Sequence, residues 1–442
     1  MENEIFEKMP VRKAYMKFSL PVVFSMVISL VYNMVDTYFI AHTYNKALVA
    51  GVSLCAPIFT LMIALGDILG LGGSSVISRL FGMQKEDDGK RLSAFCFYGS
   101  IGGGLVVTAI MLLFKQPILT LLGAKTDTFI YASQYYFYLV LGAPLIILNF
   151  APSNLLRTEG LAKESMFGTI FGSVVNMILD PIFIFGLGMG AGGAAIANRL
   201  GYLSADIAFV VILKKKSKKL SVNLKQVKVS KRELVDMLSI GIPASITNLM
   251  QSLCMMLTNR FLLSHGTDSI AAMGIVMKIN MIAALVLVGF SFGPQPLIGY
   301  NYGAGNGKRL KEVLSFGYKF EFSLALIFTA ILSIFARPIL QLFMNDANIV
   351  SLGVPMLRLQ QMGMAFMAIV LVTTCAFQST GKALGAFILS ASRQGVVFAI
   401  VLVIASTVFG YYGILTAQAT SDFLTAIIAV LLYRKLLKSE ID

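Results

Sequence analysis

Charge is scarce in this 442-residue chain: Asp, Glu, Lys and Arg make up 13% of it, against about 25% in a soluble globular domain. A water-soluble fold is excluded by the complement of that number, since 57% of the residues are hydrophobic. Histidine occurs twice, and His42 and His265 sit at the ends of equivalent apolar runs. A convergent His/Asp or His/Glu set for an intramembrane enzyme is therefore missing, and no catalytic residue is assigned. Cysteine occurs four times (Cys55, Cys96, Cys254, Cys375), always in or beside an apolar run and never as CxxC or in a Cys/His metal spacing. These are read as reduced packing residues, with no disulfide scaffold, structural metal or organic cofactor.

Abundant instead are apolar runs long enough to cross a bilayer, separated by short charged or Gly/Pro-containing connections. They predict an all-α membrane protein and rule out an alternating outer-membrane barrel. Twelve spans are expected, at about 14–42, 47–81, 93–114, 128–154, 164–187, 191–213, 234–264, 268–300, 310–336, 348–379, 383–409 and 413–435. The first, preceded by Lys8, Arg12 and Lys13, is too long for the core of a cleaved signal peptide. The net charge of +14 is not a nucleic-acid signature, because the connections on the side of the termini hold 26 of the 36 Lys and Arg and the opposite connections four. That bias puts both termini and the Lys-rich 214–232 segment in the cytoplasm, facing anionic lipid headgroups.

The chain also repeats itself. His42, Gly51, Gly66 and Gly70 recur 223 positions later as His265, Gly274, Gly289 and Gly293, and Gly82, Gly160 and Gly193 recur as Gly303, Gly381 and Gly413 with a shift of 221 or 220. Six spans per half is an even number, so both halves start on the same side and are expected to be related by an axis along the membrane normal, with a cavity between them. The expected division is an N-terminal lobe at 1–213, a basic cytoplasmic linker at 214–232 and a C-terminal lobe at 233–442.

Ionisable groups at membrane depth carry the functional information, because each costs about 2.5–3.5 kcal/mol on insertion scales. Asp36 lies one helical turn after Tyr32, so its carboxylate can accept that hydroxyl. Asn176 and Asp180 have the same spacing, Pro181 leaves the Met177 carbonyl without its helical donor, and Asn198 adds an amide. The repeat register pairs these residues with Asn259, Val397, Val401 and Gln418, so both acids are absent from the second half. Acids needed for packing alone would be shared by two lobes of one plan; their one-sidedness favours a titrating or ion-binding site over structural hydrogen bonding. Pro21, fifteen residues before Asp36, is a hinge or a static kink.

Other features are weaker. Asp67 lies in a glycine-rich stretch; Arg199 is expected either to pair with Asp206 or to approach Asp180. Lys278 and Arg393 line a cavity or snorkel to the interface. Met250, Met255 and Met256, with Met362, Met364 and Met367, cluster with Gln251 and Gln361, an adaptable surface of the kind that binds varied ligands, although methionine more often fills gaps. Met250, Gln251, Met255, Asn259, Gln361 and Met364 are the candidate substrate-cavity residues.

The segments DTYFIA from Asp36, GGSSVISRLFG from Gly72, LLRTEG from Leu155, NMILDPIFIFG from Asn176, GAAIAN from Gly193 and QPLIGYNYGAGN from Gln295 resemble the multidrug and toxic compound extrusion (MATE) transporters, in the bacterial branch that includes DinF-like and MepA-like members. The resemblance covers essentially the whole chain. It implies a V-shaped pair of six-helix bundles in the bacterial cytoplasmic membrane. Such a protein exports amphipathic, often cationic small molecules by antiport with protons or sodium, alternating access from side to side. In DinF-like members the coupling ion is held in the N-terminal lobe at positions matching Asp36, Asn176, Asp180 and Asn198, with Tyr32 beside them and Pro21 as the bending proline; a bound sodium would sit among the same four. Asn198 and the Arg199 that follows depart from the family's small hydroxyl residue there. Another branch places acids in spans 7 and 10, where this chain has Asn248, Gln251, Asn259 and Gln361. The expected partners are the lipid bilayer and small-molecule substrates, with the protein a monomer. The alternative is a flippase for a lipid-linked saccharide on the same two-lobe plan; a channel is disfavoured because no filter-like loop repeats.

Overall fold

The computed structural model describes residues 4–438 and Glu440, apart from the side chains of Thr126, Asn248, Leu249 and Ser252. Among the described residues the regular structure is helical, with no strand. That is the outcome required of a chain whose backbone N–H and C=O groups must pair within their own segment in hydrocarbon.

Eight helical stretches are long and apolar enough to cross a bilayer, and ten if each of two bent pairs forms one span. The bends follow the sequence. Thr126–Leu141 gives way to Ala143–Thr158 at Gly142, with Pro144 in the first turn of the second helix, and the pair is bent by 47°. Ala347–Gln361 and Met364–Thr380 are bent by 45° at Met362–Gly363. The last stretch, Ala383–Lys438, contains two expected spans. Gly410 takes φ 57°, ψ −129°, which only glycine adopts freely, and Gly413 packs on the Ala405 carbonyl. In a continuous helix those residues would be about 12 Å apart, so the chain turns back there. The remaining expected span, 234–264, lies on Lys231–Leu262, the least apolar of the long helices. Each of the twelve expected segments thus falls on a helix or helix pair.

Two compact units emerge. The N-terminal unit is Phe24–Ser245; the C-terminal unit takes everything from Ile246 onward together with the chain before Phe24. The passages fall inside helices, at Val23–Phe24 within Val11–Ala41 and at Ser245–Ile246 within Lys231–Leu262. Each comes two residues after an intrahelical proline, Pro21 and Pro243, which are 222 positions apart. Each repeat therefore contributes the first part of its first helix to the other unit. Within the C-terminal unit, Ser19 donates to the Phe290 carbonyl at 3.3 Å and its backbone closes on Gly293. Within the N-terminal unit, Gly241 closes on the Ile68 backbone and Ser245 donates to the Ala64 carbonyl.

The 214–232 segment, read from sequence as a solvated linker between lobes, belongs to the N-terminal unit. Glu159 accepts from the backbone N–H groups of Lys218 (2.6 Å) and Lys219 (3.1 Å), the N–H of Ser221 donates to Ser93 Oγ at 2.9 Å, and Tyr98 donates to the Val222 carbonyl at 2.8 Å. A carboxylate collecting successive backbone donors fixes a loop that its lysine content alone would leave in water.

Close helix contact in the N-terminal unit depends on glycine. A Cβ on Gly70 would lie 2.6 Å from the Phe150 carbonyl oxygen and 2.8 Å from Asn154 Nδ2. Gly70→Ala is expected to cost about 1–3 kcal/mol, read as a lowered Tm of the purified protein in detergent; an unchanged Tm refutes this account of the contact.

Candidate functional site

The N-terminal unit brings Tyr32, Asp36, Asn176, Asp180 and Asn198 into one neighbourhood. The scaffold is the contact between Ala162–Pro181 and Gly190–Lys216. A Cβ on Gly172 would lie 2.6 Å from that of Ala205, and one on Gly201 would lie 2.8 Å from that of Asn176. Small residues let the two backbones approach, as in many membrane-helix interfaces. Asn176, two residues from Ile178, is thereby held against the helix that carries Asn198.

From there a chain of polar contacts runs across the site. Asn176 donates its amide N–H to Asp180 Oδ2 at 3.1 Å and accepts from the Asn198 backbone N–H at 3.0 Å. Asn198 Nδ2 donates to the Tyr32 hydroxyl at 2.6 Å. Asp180 is 0% exposed, and Asn176, Asn198 and Tyr32 are buried with it. Asp36 is half-buried and within electrostatic reach of Asp180. Tyr135, from Thr126–Leu141, comes within the same reach of both acids, a contribution that its spacing in the sequence did not reveal. After Asp180 the helix passes through Pro181 into a π-helical turn, Ile182–Gly186. Such turns recur at functional sites because they re-aim neighbouring side chains.

Two oxygens in this group have no hydrogen-bond partner: Asp180 Oδ1 and Asn198 Oδ1, both buried. Buried polar atoms are paired with few exceptions, and an unpaired one costs about 1–3 kcal/mol. Two orphan oxygens beside a second carboxyl and a hydroxyl form an oxygen-only donor set. It suits a proton or a small monovalent cation; among the described residues no cluster of three or more His, Cys, Asp or Glu could hold a transition or divalent metal.

Several expectations are corrected. The Tyr32 hydroxyl accepts from Asn198, and no Tyr32–Asp36 hydrogen bond is present among the described residues. Arg199 pairs with neither Asp206 nor Asp180 among the described ion pairs; its stem packs against Gly142. Asp206 instead accepts from Asn149 Nδ2 at 3.0 Å. Arg393 forms an ion pair that the sequence did not indicate: its Nε donates to Asp422 Oδ1 at 2.9 Å, and Gln418 Nε2 donates to the same oxygen at 3.1 Å. Of the candidate cavity residues, Gln361 is buried and bonded to Asn280, and Met364 is packed in an apolar cluster. Gln251 and Met255 are exposed, whereas Met250 and Asn259 are half-buried. Both chain halves hold polar clusters; among the described residues Asp422 is paired with a cation and Asp180 is not.

Removing the Tyr32 hydroxyl leaves a buried Asn198 amide without its acceptor. Tyr32→Phe is expected to cost about 1–3 kcal/mol. Combined with Asn198→Leu, the loss should fall short of the two single losses added together. Thermal melts of the three variants check this, and strict additivity would show that the pair does not interact.

The MatE family matches residues 21–182 and 243–405, two copies that each begin at one of the intrahelical prolines, Pro21 and Pro243. The multidrug export protein MepA of Staphylococcus aureus (strain MSSA476) is 33% identical over 432 residues, covering 97% of this chain and 94% of that protein. A solved structure described as the outward-facing conformation of a multidrug resistance MATE family transporter of the MOP superfamily superposes with a TM-score of 0.91 at 25% identity, covering 99% of this chain and 98% of that one. A MATE structure in the bent conformation superposes with a TM-score of 0.90 at 26% identity, over 97% and 96% of the two chains. With two family copies spanning most of its length and an all-helical fold shared from end to end, the chain belongs to the MatE family of multi-pass membrane transporters.

Proposed function

We propose that this protein is a multidrug exporter of the bacterial cytoplasmic membrane that moves amphipathic, often cationic compounds outward by antiport with protons or sodium. Family membership and the similarity to MepA support the export of drugs. The reading of ion coupling rests on one observation: the unpartnered, buried oxygens of Asp180 and Asn198 beside a second carboxyl, Asp36. Two nearby carboxyls in apolar surroundings resist being ionised together, so a proton or cation entering the group changes its charge at little structural cost.

In the proposed cycle the ionised pair favours a cationic substrate. Neutralisation by the incoming ion removes that attraction and lets the first helix repack around Pro21, where the missing N–H weakens the helical ladder. Access then switches from one membrane face to the other. Substrate contact is assigned to the 246–262 part of Lys231–Leu262, through the exposed Gln251 and Met255 and the half-buried Met250 and Asn259. Gln361 and Met364 are inside the packing and contribute by holding shape. The protein works as a monomer, with both termini cytoplasmic.

The test is uptake of ethidium into inverted proteoliposomes under separately imposed proton and sodium gradients. Uphill uptake is expected with at least one of them. Asp36→Asn and Asp180→Asn should each reduce it at least about tenfold, which corresponds to about 1.4 kcal/mol of coupling. If both variants concentrate ethidium as fast as the parent, the coupling role of this site is wrong; if neither gradient drives uptake in the parent, antiport is wrong.

A further inference from the structure

A third carboxyl at membrane depth lies outside the site described above. Glu321 is the fifteenth residue of the 28-residue helix Gly307–Ile334, one of the stretches able to span a bilayer, and so falls near its middle. It is 0% exposed, and neither carboxyl oxygen has a hydrogen-bond partner. The groups around it come from four helices, all in the C-terminal unit. From the first part of Val11–Ala41, Tyr15 places its hydroxyl 3.1 Å from the Cβ position of Gly317, one turn before Glu321, and stacks edge-on against Phe316 and Phe320. From Thr267–Phe292, the buried Ser291 hydroxyl faces the carboxyl and is the one side-chain donor set against it among the described residues. Phe290 of the same helix packs on Phe320 at 5.0 Å. Tyr15 in turn is within electrostatic reach of Cys375 from Met364–Thr380 and of Tyr318 from the glutamate's own helix, which bonds Thr373. No Lys, Arg or His from any of these helices forms an ion pair with Glu321 among the described residues.

An ionised carboxylate in that setting would be without a counter-charge and would have at most the Ser291 hydroxyl as a donor, a state that costs several kcal/mol and is relieved by taking up a proton. The repeat register offers no packing reason for the acid. Its counterpart in the N-terminal half is Ser100, which bonds the Cys96 carbonyl at 2.8 Å and fills the equivalent turn without a charge. Tyr15 and Asp36 are on the same helix, Tyr15 before Pro21 in one unit and Asp36 after it in the other.

We propose that Glu321 is a second proton-carrying site of the transporter, lodged in the C-terminal unit against the first part of the helix whose later part carries Asp36. It holds a proton in the conformation described and gives it up when Tyr15 and Ser291 withdraw and water or a cation reaches the carboxyl. The transported species at this site is a proton, since one carboxyl, one serine and one tyrosine hydroxyl provide too few oxygens to replace a metal ion's hydration shell. The proposal rests on the ion-coupled export reading, and its test is built so that the two fail separately.

Glu321→Gln keeps the shape and stays neutral, so a merely structural role tolerates it; Glu321→Asp keeps a titratable group. Both are first checked for a wild-type elution profile in detergent. The infrared spectrum at neutral pH is expected to show a protonated-carboxyl stretch that Glu321→Gln lacks and Glu321→Asp restores at a shifted position. Ethidium added to the protein in weakly buffered detergent, with no membrane and no gradient, should release about one proton fewer per molecule from Glu321→Gln than from the parent. Its uptake should lose one limb of the parent's pH profile. A Glu321→Gln protein that retains the infrared band, or that releases protons and follows pH as the parent does, overturns the proposal even if Asp36→Asn abolishes uptake. Loss of the band and of proton release with uptake that no gradient drives would instead leave Glu321 as a proton site and remove the antiport reading.

Discussion

The contact between Gly172 on one helix and Gly201 and Ala205 on the next is the constraint on which the N-terminal site depends. With nothing larger than a methyl at these positions the two helices approach until Asn176 meets the backbone of Asn198, and the polar chain to Asp180 and Tyr32 follows from that approach. In hydrocarbon there is little hydrophobic drive between helices, so close packing and interhelical hydrogen bonds hold the assembly together. The same contact fixes which oxygens are paired and which are left over. The site's chemistry is thus a remainder: what is not used to join the helices is what an ion can use.

The two halves put their intramembrane acids to different ends. Asp422 in the C-terminal unit lies between Arg393 and Gln418, and Gln418 is the register counterpart of Asn198. There the acid is matched with a guanidinium and one amide N–H, an arrangement that ties the helix of Arg393 to that of Asp422. In the N-terminal unit the corresponding amide faces a tyrosine, and the acids have no cation beside them. Equivalent positions thus join an ion pair in one half and an uncharged tyrosine contact in the other.

How much of this could be read from the sequence varies with the range of the interaction concerned. Helices declared themselves because a span of about 20 apolar residues leaves the backbone no alternative, and the two-fold repetition was visible in glycines whose register hardly drifts. Asp36 and Asp180 stood out because an acid in an apolar run is costly anywhere, and Asn176 because it lies one helical turn before Asp180. What stayed hidden were choices between nearby partners. Tyr32 had Asp36 one turn away and took Asn198 from another helix; Arg199 had two acids in reach by sequence and took neither. Glu321 lies inside the expected 310–336 span, two residues after Lys319, and no acid or amide one helical turn away marked it out. The docking of 214–232 was equally opaque, since nothing in a lysine-rich stretch announces that one glutamate elsewhere will capture its backbone.

The exchange of leading helix portions also bears on how the protein is made. Residues before Phe24 leave the ribosome first, yet the surfaces they pack on, around Phe290, Gly293 and Phe316, are synthesised some 270 residues later. During most of translation that amphiphilic stub has to wait in the lipid or at the insertion machinery with its Ser19 and Tyr15 hydroxyls unsatisfied by their final neighbours. The order of synthesis therefore leaves the packing of this opening segment until nearly two thirds of the chain has been made.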